Sequence, residues 1–138
     1  MYHPYERKIN YYETDKMGIV HHSNYIRFLE EARCSMLEAA GMPYSEFEKQ
    51  GVLIPVLSVN CNYKSHVTFD DMIEIKTLIK EFNGIRLTMQ YEIINKKTGD
   101  LVLTAETMHC FTNKKLKPIR LQKQLPDFYN KFYLFLNI

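Results

Sequence analysis

The chain has 138 residues, 18 basic and 16 acidic side chains, and a formal net charge of +2. That length fits one domain with a core that does not depend on a disulfide or a metal. Hydrophobic content of 46%, with 13% aromatic, excludes a disordered chain. So small a positive excess gives no case for nucleic acid or an anionic membrane surface as a partner.

Cys34, Cys61 and Cys110 are odd in number and lack CxxC spacing, which argues against a disulfide framework or a zinc site. They are expected to be reduced core thiols of a cytoplasmic protein. Met1-Tyr2-His3-Pro4-Tyr5-Glu6-Arg7 has no apolar h-region, so no secretory leader is expected. No apolar run reaches membrane-spanning length, so stable membrane insertion is not expected either.

In chain order, Tyr5 to Tyr12 reads as a short aromatic strand, followed by the loop Glu13-Thr14-Asp15-Lys16-Met17-Gly18. From Tyr25 the apolar residues fall at 25, 28, 29, 32, 36, 39 and 40, a helical stripe. Arg27, Glu30, Glu31 and Glu38 lie opposite, with Glu30 expected near Arg33 and Glu31 near Arg27. Ser23 or Asn24 is the expected N-cap, and Gly41 with Pro43 ends the helix. A short helix over Tyr44 to Lys49 follows.

Beyond Gly51 the period changes to two. Leu57, Val59, Cys61 and Tyr63 alternate with Ser58, Asn60 and Asn62 over Val56 to Tyr63. Met72 to Lys80 forms the next strand, with Ile73, Ile75 and Ile79 on one face. Asn83-Gly84 is a hairpin signal, after which Ile85, Leu87, Met89, Tyr91 and Ile93 alternate with polar residues. The turn Lys97-Thr98-Gly99-Asp100 leads to a last strand, Leu101 to Thr112. Short turns make neighbouring strands antiparallel. The layout is therefore α+β, a long central helix wrapped by a curved antiparallel five-stranded sheet.

The segment Tyr11 to Tyr25 carries the chemistry. Asp15 stands on a loop just before a helix N-terminus, whose free N–H groups suit a carbonyl oxygen that becomes negative in a transition state. Gly18 lets a ligand approach the main chain. On these residues alone Asp15 is either a turn-shaping carboxylate or a general base or nucleophile. His21 and His22 lack zinc-site spacing, so no metal is expected; no G-x-S-x-G elbow exists.

The run Thr14-Asp15, two residues, Gly18-Ile19-Val20, two residues, Ser23-Asn24-Tyr25 resembles the signature of the 4-hydroxybenzoyl-CoA thioesterase-like family. The branch it is most similar to is that of broad acyl-CoA thioesterases including the Tol-Pal-associated enzyme. Glu30-Glu31-Ala32-Arg33 and the stretch from Asn62-Tyr63 through Phe69-Asp70-Asp71-Met72-Ile73-Glu74-Ile75 extend the resemblance over about Ile9 to Ile119.

The resemblance implies a hotdog fold, a homodimer joining two sheets edge to edge or a homotetramer, active sites at the dimer interface, and no metal or organic cofactor. The chain is expected to divide into a hotdog thioesterase domain, 1–124, and a C-terminal tail, 125–138, whose apolar run Phe128 to Leu136 is expected to dock as a helix on its own sheet or on a neighbour. The catalytic carboxylate maps onto Asp15, an implicated His onto His22 and an implicated phenol onto Tyr11. That branch usually carries Glu-Asp-Thr-Asp, one residue longer than Glu13-Thr14-Asp15, which leaves Tyr12 as the alternative phenol. The backbone N–H at His22 is the implied donor to the thioester carbonyl, and His21 is expected to be structural. Gly18, Val20, Lys64 and Ser65 are the candidate substrate contacts. Lys64, Arg86 and the Lys114-Lys115-Leu116-Lys117 run read equally as solvated cations, the first two with a CoA phosphate as the functional alternative. The implied activity is hydrolysis of acyl-CoA to free acid and CoA. The competing readings are a non-catalytic hotdog module binding acyl-CoA or acyl-carrier thioesters, and a dehydratase, whose catalytic His and acid have no counterpart setting here.

Overall fold

A computed structural model describes residues 3–136. The beginning of the leaderless N-terminus expected above and the last two residues of the tail lie outside the described residues. Elements follow in the order β1 (Tyr5–Lys8), a 3-10 turn (Tyr11–Glu13), α1 (Ser23–Ala39), α2 (Tyr44–Lys49), β2 (Val56–Tyr63), β3 (Met72–Phe82), β4 (Arg86–Asn95), β5 (Leu101–Cys110), α3 (Leu121–Gln124) and α4 (Pro126–Leu134). The five strands form one sheet in the order β1-β3-β4-β5-β2. The α+β layout expected from the sequence is the one observed.

Contacts cluster into two compact units. The first comprises the chain up to Met36, Cys61–Thr77 and Tyr91–Ala105. Here β1 pairs antiparallel with β3 in the register Tyr5↔Ile75 to Lys8↔Met72. The strand stops at Lys8 instead of running to Tyr12. The Glu13 carboxylate accepts the Asn10 N–H at 2.8 Å, and the Glu13 N–H donates back to the Asn10 carbonyl at 3.0 Å. This reciprocal closure curls Tyr11–Glu13 into the 3-10 turn.

The apolar stripe of α1 is buried as expected at Tyr25, Phe28, Leu29, Ala32 and Met36. Its charged residues pair differently from the sequence expectation. Arg33 turns inward, with only 7% of its surface exposed, and donates to the Tyr91 hydroxyl at 3.3 Å. Glu31 accepts from the Tyr5 hydroxyl at 3.0 Å and meets Arg7 Nε at 3.4 Å. Neither the Glu30–Arg33 nor the Glu31–Arg27 pair forms among the described residues, because β1 offers Glu31 a closer cation.

The second unit comprises Leu37–Asn60, Leu78–Gln90 and the chain from Glu106 onward. The Asn83-Gly84 turn forms as predicted: Asn83 Oδ1 accepts the N–H groups of Ile85 (2.9 Å) and Arg86 (2.8 Å), and Gly84 sits at φ +87°. The apolar tail folds into α4, and its Phe132 is fully buried, stacked on Phe82 at 4.7 Å and edge-on to Phe111 at 5.8 Å. The last strand ends at Cys110, two residues short of expectation, because Thr112 exchanges backbone hydrogen bonds with Leu53 instead.

The strand expected from alternation over Val56 to Tyr63 forms as β2. The strand buries neither face fully: Val56, Leu57, Val59 and Tyr63 are all more than a third exposed. It is the end strand of the sheet. None of the three cysteines is in a disulfide, and each is half-buried instead of lying in the core. Among the described residues no helix is long and apolar enough to cross a membrane.

Candidate active site

The loop that carries Asp15 is a tight, internally bonded turn. The Asp15 carboxylate accepts the Met17 N–H at 2.8 Å through Oδ1, and the Gly18 N–H returns to the Asp15 carbonyl at 2.9 Å. Gly18 sits at φ +80°, a conformation that would strain any side-chain-bearing residue. The arms beyond the turn are bridged: the Asp15 N–H donates to the Ile19 carbonyl, and Thr14 pairs antiparallel with Val20. Val20 is buried and donates its N–H to the Val67 carbonyl at 3.0 Å; Ile19 bridges Thr68. The Asp15 turn is therefore anchored on both sides.

Immediately beyond it, α1 begins, and its first donors are spoken for one by one. The His21 N–H donates to the Glu13 carbonyl at 2.9 Å. The Ser23 N–H donates to His21 Nδ1 at 3.2 Å, and Ser23 Oγ lies 2.9 Å from the same nitrogen. The helix is thus capped by the imidazole of His21, not by Ser23 or Asn24. The N–H groups of Asn24 and Tyr25 go to the carbonyls of His21 and His22. Among the described residues only the His22 N–H in this stretch has no acceptor.

Glu13 joins these pieces. Its carboxylate is almost fully buried and takes a 2.8 Å ion pair from Arg7 and the Asn10 N–H. The Arg7 guanidinium also lies 4.1 Å above the Phe28 ring centroid. The carbonyl of Glu13 accepts both the His21 N–H and the Asn24 side-chain amide, each at 2.9 Å. The sequence reading passed over this residue; the Asn10-x-x-Glu13 spacing was the available signal.

Tyr11 and Tyr12 are both largely exposed. Tyr11 packs edge-on to Phe69 at 5.6 Å, whereas the Tyr12 hydroxyl accepts from the Asn10 side chain. The His22 ring is exposed and stacks on His21 at 4.3 Å. The structure thus gathers Tyr11, Asp15, Gly18, Val20 and His22 into one bonded segment. No hydrogen bond among the described residues joins Lys64 or Ser65 to it: their N–H groups both donate to the Val102 carbonyl, and the Ser65 hydroxyl donates to the Leu101 carbonyl. The Lys64 side chain is exposed and makes no ion pair among the described residues. Behind the segment, burial pushes the Tyr25 phenol from 10.0 up to about 12, with Tyr63, 5.7 Å away, adding to the shift. The Cys61 thiol is likewise raised by burial.

Residues 9–132 match the model of the thioesterase-like superfamily. A Bacillus subtilis relative is 35% identical over 128 residues, 92% of each chain. An acyl-CoA thioester hydrolase of Escherichia coli is 29% identical over 118 residues, 86% of this chain and 88% of its own. The solved DHNA-CoA thioesterase of Staphylococcus aureus superposes with a TM-score of 0.91 at 34% identity, covering 95% of this chain and 88% of that one. The chain belongs to the thioesterase-like superfamily and has the hotdog fold. That membership places it among the thioester hydrolases.

Proposed function

We propose that this protein hydrolyses acyl-CoA thioesters, with Asp15 as general base or nucleophile and the His22 N–H as donor to the developing oxyanion. The observation that carries the reading is the His22 N–H. Among the described residues every other backbone N–H from His21 to Tyr25 has an acceptor, and this one, at the positive end of a 17-residue helix, has none. A donor held ready where negative charge develops acts without reorganisation. Asp15 Oδ1 is held by the Met17 N–H, and Oδ2 has no hydrogen-bond partner among the described residues. Oδ2 either takes a proton from a water whose oxygen adds to the carbonyl carbon, so that breaking the C–S bond releases the free acid and CoA thiolate, or attacks that carbon itself, expelling CoA thiolate to leave a mixed anhydride that a water then hydrolyses to the free acid and the Asp15 carboxylate. Tyr11 and the His22 ring orient the thioester, Gly18 and Val20 line its approach, and Lys64 meets a CoA phosphate. Ser65 keeps a binding role only through its main chain.

Seven of the eight residues of β2 are exposed, and the strand ends the sheet with exposed apolar side chains at Val56, Leu57, Val59 and Tyr63. Such an edge is normally covered. A second copy paired along it gives the homodimer, and pairs of dimers the homotetramer, with the site at the interface. Three cysteines outside any disulfide suit the reducing cytoplasm. The relatives' names span acyl-CoA and DHNA-CoA substrates, so the acyl group is sought across both kinds.

The test is thiol release from acyl-CoAs of graded chain length and from an aryl-CoA, for wild type and Asp15→Asn, at a solution mass fixed by sedimentation. Asn keeps an Oδ1 acceptor for the Met17 N–H, so the turn survives the substitution. Loss of at least a hundredfold in kcat is expected. Near-wild-type turnover by the variant would remove Asp15 from the mechanism, and tight binding with no turnover by either protein would favour the non-catalytic module.

A further inference from the structure

We infer that Asn24 and the buried Glu13 act together as a positioning brace that keeps the His22 N–H available to substrate. The inference rests on the catalytic reading above and extends it to two residues outside the reacting set. A helix N-terminus offers several N–H donors, and an acceptor placed nearby captures whichever it reaches. Here one carbonyl, that of Glu13, takes two donors from opposite sides of the helix start: the His21 N–H and the Asn24 side-chain amide, each at 2.9 Å. The carbonyl is itself immobile. Its residue is locked by the Arg7 ion pair and by the Asn10 N–H, both at 2.8 Å, with only 6% of its surface exposed.

Two consequences follow. The acceptor capacity of the Glu13 carbonyl is filled, two lone pairs by two donors, so it does not compete for the His22 N–H. The first turn of α1 is also fixed to the arm from which Asp15 projects two residues later. A shift of the order of 1 Å between carboxylate and donor costs about a hundredfold in rate. Asn24 touches neither substrate nor reacting atoms; it acts through Glu13 on the distance between Asp15 and His22.

Asn24→Asp tests this. The variant is isosteric and lacks the donor, and an acid in the first helical turn suits the helix dipole, so the fold is expected to keep its Tm. The expected result is a fall in kcat of about ten- to a hundredfold with KM within threefold. Hydrogen exchange of the His21 amide should be faster than in wild type, while that of the His22 amide is fast in both. Asn24→Ser carries the same comparison if the Asp variant does not fold. Wild-type kcat, a loss confined to Tm, or unchanged protection of the His21 amide would each overturn the brace. A wild type that hydrolyses no thioester would sink the proposed activity instead, and the exchange comparison alone would then decide the brace.

Discussion

Replacing Arg7 with Met isolates the ion pair that anchors the site. Arg7 and Glu13 have side chains only 12% and 7% exposed, 2.8 Å apart. Removing one partner of a buried pair strands the other charge, at a cost of about 3–5 kcal/mol. Glu13 retains the Asn10 N–H, which places the expected loss at the lower end of that range. The guanidinium over Phe28 adds about 0.5–1 kcal/mol. The contact with the more exposed Glu31 adds little. The expected total is roughly 3–4 kcal/mol by the same principles, read as a drop in the urea midpoint at constant m. Adding Glu13→Gln removes the stranded charge while its amide oxygen still accepts the Asn10 N–H, so the double variant should be more stable than Arg7→Met alone. A single variant within about 1 kcal/mol of wild type, the ceiling for an exposed pair, would refute the account. So would a double variant whose loss is the sum of the singles, since coupling would then be absent.

Two further outcomes follow from the geometry. Gly84→Ala places a Cβ 2.9 Å from Tyr129 Cε1 at φ +87°; it should cost at least the ~1–2 kcal/mol of a left-handed residue, and a melting temperature equal to wild type would contradict this. The Tyr25 phenol, raised from 10.0 to about 12 chiefly by burial, ionises in the unfolded chain before the folded one. Its stabilisation is therefore intact below pH 10 and lost as pH climbs towards 12, by an amount on the order of 1–2 kcal/mol once solvent screening of the phenol is allowed for. Tyr25→Phe should flatten the stability profile over that window, and a slope identical to wild type would show that Tyr25 is not its source.

Period and punctuation carried most of the fold. The stripe from Tyr25 to Met36, the short helix at Tyr44 and the Asn83-Gly84 turn are local signals, and the structure keeps them. Where they failed, a distant partner decided. Alternation over Val56–Tyr63 identified a strand, but whether either face is buried depends on what lies beside it, and β2 lies at the end of the sheet. Arg33 reads as part of a polar helix face, yet the Tyr91 hydroxyl, 58 residues away, draws it inward. Of the site, Asp15, Gly18 and the helix start were legible as a motif. The role of Glu13 was legible only in part: the Asn10-x-x-Glu13 spacing marks a closed turn, but nothing local says that Arg7 covers the carboxylate.

The two readings of Asp15, turn former and catalyst, do not compete for the same atom. An Asx turn uses one carboxylate oxygen, here Oδ1 on the Met17 N–H. That bond fixes the plane of the carboxylate, and the bridges on either side of the turn fix its position. A base or nucleophile gains from both restraints, since a freely rotating carboxylate would lose rotamer freedom each time it met the carbonyl carbon. The turn role is thus a condition of the chemical role. Asp15→Asn is expected to keep the first and, on the proposed mechanism, to remove the second, which is why that substitution, more than Ala, separates scaffold from reaction.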